Sequence, residues 1–150
     1  MSGAEGRTSG AAPVVPHEDT QGGPTLALCL AAAAGATGCA LGAFGAHALR
    51  GRLDAGMLEI YRTGVLYQLV HALALLGVAA LGRRLRWPRL TAALFAVGIV
   101  IFSGSLYTLA ISGVRAWGAV TPAGGLCFIA GWLSMALGRR DGAAPVSRRP

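Results

Sequence analysis

Between Leu90 and Val114, and again between Ala116 and Gly138, the chain runs without a single charged side chain. No other feature constrains the fold as strongly. At 1.5 Å per residue, about 20 helical residues cross the roughly 30 Å hydrocarbon core of a bilayer. A strand there leaves its backbone groups unpaired in lipid, whereas a helix pairs its own. Thr25–Ala46 and Gly64–Gly82 are two further stretches of the same kind. The expected architecture is therefore an all-α membrane protein with four transmembrane helices, spanning about 25–46, 64–82, 90–111 and 117–138.

Composition agrees. Of 150 residues, 54% are hydrophobic and 13% charged, with a mean hydropathy of +0.58. That is too little charge to cover the surface of a water-soluble domain. Residues 1–24 and 139–150 differ from the rest, being rich in Gly, Pro, Ala and polar side chains with no periodic apolar face. Both read as disordered tails, the second of them basic.

The net charge is +7, and every basic residue is arginine. The arginines flank the apolar runs and no recognition module accompanies them, which excludes a nucleic-acid partner. They do set an orientation. Arg7, Arg83, Arg84, Arg86, Arg89, Arg139, Arg140, Arg148 and Arg149 fall on one side of a four-span chain; Arg50, Arg52, Arg62 and Arg115 fall on the other. The side richer in arginine is cytoplasmic, so both termini are expected inside, N-in and C-in. Trp87 and Trp117 stand at span ends, where interfacial aromatics belong.

The first external connection, "LRGRLDAGMLEIYRTG", spaces Leu49, Leu53, Met57, Ile60 and Tyr61 as on a helix face. A short amphipathic helix on the outer surface and an extension of the second span beyond the lipid fit this periodicity equally. "AHA" at Ala46–Ala48 and "ATGC" at Ala36–Cys39 resemble processing sites. However, the preceding region holds Glu5, Glu18 and Asp19 against Arg7, the wrong sign for a signal peptide, so the first span is expected to be retained.

Few side chains offer chemistry. Cys29, Cys39 and Cys127 lie inside apolar runs without ligand spacing, so no metal site is expected. There is no phosphate-binding GxxxxGK[ST] motif, and no cofactor is expected. A hydrolytic triad lacks an orienting acid: Asp54 and Glu59 are the only extracytoplasmic acids, and a His47–Glu59 pairing would sit at the outer surface. No catalytic residues are assigned, and the chain is read as a non-enzyme.

Four blocks carry a family resemblance: "ALGAFGAHAL" (Ala40–Leu49), "YQLVHALALL" (Tyr67–Leu76), "FSGSLYTLA" (Phe102–Ala110) and "TPAGGLCFIAGW" (Thr121–Trp132). Together they resemble a family of small uncharacterised integral membrane proteins bearing domain of unknown function 423. It includes bacterial YgdD-like proteins and the animal transmembrane protein 256. The resemblance covers Thr25 to Gly138 and omits both tails. It implies a four-helix integral membrane protein and supplies no reaction, cofactor or binding residue. The expected location is a bacterial plasma (inner) membrane.

Several intramembrane residues then need a reason. Tyr67 and Gln68 precede His71 by four and three residues and share its helix face. Ser103, Ser105 and Tyr107 on the third span, Thr121 on the fourth and His47 at the end of the first are expected at similar depth, in the outer half of the bilayer. One reading is a polar pocket or vestibule with His71 at its floor. The other is interhelical glue, His71 donating to a serine. No acid lies within a span, which weakens a proton relay and disfavours a small multidrug-type antiporter.

Gly38, Gly42 and Gly45 on the first span, and Gly124, Gly131 and Gly138 on the fourth, read as packing faces that meet each other or another protomer. Pro122 in "TPAGG" costs little in a first helical turn and kinks a helix deeper in. The expected function is a structural or accessory membrane component. The alternative is a small solute or proton-coupled transporter or channel around His71. Expected partners are membrane lipid and either further copies of the chain or other membrane proteins.

Overall fold

A computed structural model describes residues 22–139. The proposed tail residues 1–21 and 140–150 lie outside the described residues. Among those described, the architecture is all-helical: α1 (Gly22–Phe44), α2 (Ala55–Leu81), α3 (Pro88–Gly98), α4 (Gly104–Ser112) and α5 (Thr121–Leu137). A π-helical segment, Gly45–Leu49, extends α1, and another, Ile99–Ser103, joins α3 to α4 into one rod. Four segments are long and apolar enough to cross a membrane: Thr25–Leu49, Ala55–Arg84, Pro88–Ser112 and Arg115–Leu137.

The second span begins well before Gly64 because of a local cap. Asp54 Oδ1 accepts from the Gly56 and Met57 amides at 2.9 and 3.1 Å, satisfying donors that the first turn leaves unpaired. The helix then runs unbroken to Leu81. Of the amphipathic residues of the first connection, Met57, Ile60 and Tyr61 thus lie in the first turns of α2, while Leu49 ends the preceding π-helical segment and Leu53 precedes the cap. The third span opens on Pro88, where a missing N–H costs nothing, and closes on Gly113, whose φ of 70° is left-handed. Pro122 lies in the first turn of α5, and so makes no kink deep in the span.

The helices pack antiparallel in chain order. The second and third spans form the centre, each with 44% of its apolar window buried; the first and fourth, at 17%, flank them. α1 lies along α2, and α5 along α3 and the π-segment. Glycine makes both approaches possible. A methyl group added at Gly38 or Gly45 would lie 2.7 Å from Leu69 Cδ2 or Tyr61 Cε1, and one at Gly42 would lie 3.3 Å from Val65 Cγ1. On α5, a methyl at Gly124 would collide with the Phe102 backbone, one at Gly131 would lie 2.7 Å from Phe95 Cε1, and one at Gly138 would lie 3.2 Å from Trp87 Cε3. The two glycine faces therefore meet different neighbours inside one chain: α2 in the first case, the third span and its entry in the second.

Two apolar clusters result. One gathers Ala27, Ala31, Leu75, Val78, Leu85, Phe95 and Phe128 toward the end where the second and third spans connect. The other gathers Leu49, Tyr61 and Ala110 at the opposite end. On α2, Gln68 and His71 lie between them.

Candidate functional site

The polar side chains of the bundle form three separate sets. The first centres on Gln68, only 5% exposed. Its Nε2 donates to the Ala34 carbonyl at 2.9 Å and to Thr37 Oγ1 at 2.8 Å, and its Oε1 accepts from the Tyr107 hydroxyl at 2.9 Å. Both amide hydrogens are used, and the amide ties α1, α2 and α4 together. Thr37 in turn donates to the Ala33 carbonyl at 2.7 Å. Nearby, the Tyr61 hydroxyl donates to the Leu41 carbonyl at 3.0 Å, and its ring lies 4.9 Å from that of Tyr107.

The second set is an aromatic box around His71. The imidazole stacks on Phe128 with centroids 3.4 Å apart and planes 7° from parallel. Phe95, Tyr67 and Trp132 close the sides at 5.7, 5.9 and 6.3 Å. Nδ1 lies 2.8 Å from the Tyr67 carbonyl, and Nε2 lies 3.4 Å from Trp132 Nε1. A carbonyl only accepts and an indole only donates. The two partners therefore specify a neutral ring protonated at Nδ1, with the Trp132 bond the longer and weaker of the two. No serine bonds to His71; its partners are a backbone carbonyl on its own helix and an indole on α5.

The third set is a clasp between the third and fourth spans. Ser105 and Thr121 hydroxyls lie 2.8 Å apart, and Ser105 donates to the Phe102 carbonyl at 2.9 Å. A similar clasp joins Thr91 and Ser134 at 2.9 Å near the other end of the bundle.

Ser103 and His47 stand apart from these sets, and Tyr67 extends the His71 box outward to Phe102. Ser103, fully buried in the π-segment, has no hydrogen-bond partner for its Oγ. Tyr67 is 40% exposed, its ring stacked on Phe102 at 4.4 Å. His47 is exposed at the end of the first span. His71 lies close to the middle of the 30-residue helical segment Ala55–Arg84.

Sequence reasoning missed Thr37, Thr91, Ser134, Trp132 and the two phenylalanines beside His71, Phe95 and Phe128. It also missed Gly98 and Gly64, where a methyl would lie 2.5 Å from the Phe128 ring and 2.8 Å from the Tyr107 ring. Thr91 and Ser134 lie at matching distances from the connection that faces them, a signal that depth counting can detect. An isolated glycine or phenylalanine carries no such signal. Among the described residues, no three His, Cys, Asp or Glu side chains come together as metal ligands.

The chain's relatives are named as membrane proteins. The profile of a family described as "Protein of unknown function (DUF423)" matches residues 41–125. The chain is 47% identical over 113 residues to "UPF0382 inner membrane protein YgdD" of Escherichia coli K12, covering 74% of this chain and 86% of that protein. It is 46% identical over 96 residues to "UPF0382 membrane protein YwdK" of Bacillus subtilis, covering 62% and 78%. It is 44% identical over 114 residues to a "UPF0382 membrane protein" of Haemophilus influenzae, covering 74% and 90%. No solved structure matches the chain. With four membrane-length helices and relatives named as inner membrane proteins, it is a multi-pass bacterial inner-membrane protein. A profile matching more than half its length, together with relatives covered almost end to end, shows that the chain belongs to the DUF423 family.

Proposed function

We propose that the chain is a non-enzymatic structural or accessory component of the plasma membrane, a rigid four-helix body that other membrane components assemble on. One observation carries this reading: the two most polar side chains within the bundle, Gln68 and His71, direct their polar atoms at the chain's own helices. A solute site keeps donors and acceptors open toward a cavity. Here they join helices to one another, as polar groups do in lipid.

The test is partner capture from native membranes with wild-type, His71→Gln and Gly45→Leu chains. His71→Gln, which keeps the fold and removes the imidazole, is expected to recover the wild-type partners. Gly45→Leu, which drives a side chain into Tyr61, is expected to lose them. Loss of every partner in a correctly folded His71→Gln chain refutes the scaffold reading.

One observation favours the alternative, a small solute or proton-coupled transporter or channel. Ser103 is fully buried with an unused hydroxyl, and it sits in a π-helical turn, a distortion frequent at functional sites. That reading requires solute or proton flux in proteoliposomes that His71→Ala abolishes. Flux indifferent to His71, or none across a broad solute panel, removes it.

A further inference from the structure

The charge of the described bundle is divided unevenly between its two ends. Asp54 and Glu59, the only described acids, stand at the end carrying Arg50, Arg52, Arg62 and Arg115, where Arg62 pairs with Glu59 at 4.0 Å. The opposite end carries Arg83, Arg84, Arg86, Arg89 and Arg139, all exposed, and no described acid.

Backbone contacts hold this second group together. Between the second and third spans, Leu85 is 4% exposed and pins the turn into the apolar cluster. The Arg86 amide donates to the Gly138 carbonyl at 2.6 Å, and Leu85 pairs with Arg139 as an antiparallel bridge. Arginines from a turn and from the end of the fourth span are thereby brought side by side. The Arg86 guanidinium lies 4.9 Å from the Trp87 ring centroid, and Trp87, itself half-exposed, rests against Gly138. Leu81, Leu90 and Leu137 expose apolar surface at the same end.

We propose that this arginine cluster is a binding site for the phosphate of an anionic phospholipid. A guanidinium matches phosphate oxygens with two parallel N–H donors, and Arg83, Arg84, Arg86 and Arg89, gathered at one end with no acid among the described residues there, suit an anion. Tryptophan favours the headgroup level, which puts the cluster at the depth of lipid phosphates. The leucines supply acyl-chain contact that a free phosphate ion cannot use. Juxtamembrane basic clusters of this kind attract anionic headgroups.

Energy transfer from Trp87 to dansyl-labelled phosphatidylglycerol tests the proposal in detergent micelles containing the full chain. Labelled phosphatidylcholine and the Trp87→Phe chain set the background. Wild type is expected to prefer phosphatidylglycerol, and Arg84→Gln/Arg86→Gln to lose about tenfold of that preference. Arg50→Gln/Arg52→Gln, at the other end, is expected to keep it. Equal transfer from both lipids, or an Arg84→Gln/Arg86→Gln chain that behaves as wild type, overturns the proposal. So does competition by glycerol 3-phosphate as strong as that by unlabelled phosphatidylglycerol, since the site would then read free phosphate. Should the glutamine pair fail to fold, salt decides on the wild-type chain. Raising NaCl from about 0.1 M to about 1 M shortens the screening length from about 10 Å to about 3 Å, and the preference must collapse. A preference indifferent to salt refutes the site.

Discussion

Gln68 is where the scaffold reading is most exposed to measurement. Its amide makes three bonds, to Ala34, Thr37 and Tyr107, across two helix interfaces. Gln68→Leu leaves an apolar side chain of comparable volume, one atom shorter, and removes all three. Hydrogen bonds between membrane helices average about 0.6 kcal/mol, because the unassembled helices also find partners in lipid. Three such bonds give a loss of about 2 kcal/mol, roughly a thirtyfold change in the unfolding equilibrium. Tyr107→Phe alone removes one bond and is expected to lose about 0.6 kcal/mol. The pair isolates the contact: the double variant should be about 0.6 kcal/mol more stable than the sum of the single losses predicts. Reversible unfolding in mixed micelles, followed by circular dichroism, reads all four chains. If Gln68→Leu unfolds with wild type and the double variant is additive, Gln68 does not join the helices, and the argument from satisfied polar groups fails with it.

Three further outcomes are expected. Gly124→Val forces a side chain against the Phe102 backbone, which cannot rotate away, and should cost about 3 kcal/mol; Gly35→Val, with nothing within 4 Å, should be close to neutral in the same unfolding assay. Ser103→Ala removes a buried hydroxyl that has no partner and should stabilise the chain by about 1 kcal/mol, whereas a loss of that size would reveal a bonded ligand or water. Reporter domains fused to each end and to the Gly82–Trp87 connection should all report from the cytoplasmic side; ends reporting from opposite sides refute both the topology and the arginine rule behind it.

The parts of this fold that were legible in the sequence are those set by the solvent. Lipid forbids charge and unpaired backbone, so the number and kind of spans follow from where arginine and aspartate are missing. Helix ends obey local chemistry instead. The second span starts at Ala55 because Asp54 caps it, although hydropathy alone places the start near Gly64. Partner choice was hidden for a different reason. A period of 3.6 places Tyr67, Gln68 and His71 on one face, but it does not tell which neighbouring helix each meets. Gln68 turns to α1 and α4, while His71 turns to α3 and α5. Three residues of sequence therefore separate two networks that reach different neighbours of α2. In a small membrane bundle, depth is written in the sequence residue by residue. Azimuth depends on glycines such as Gly98 and Gly124, which let one helix approach another and so decide which polar groups meet.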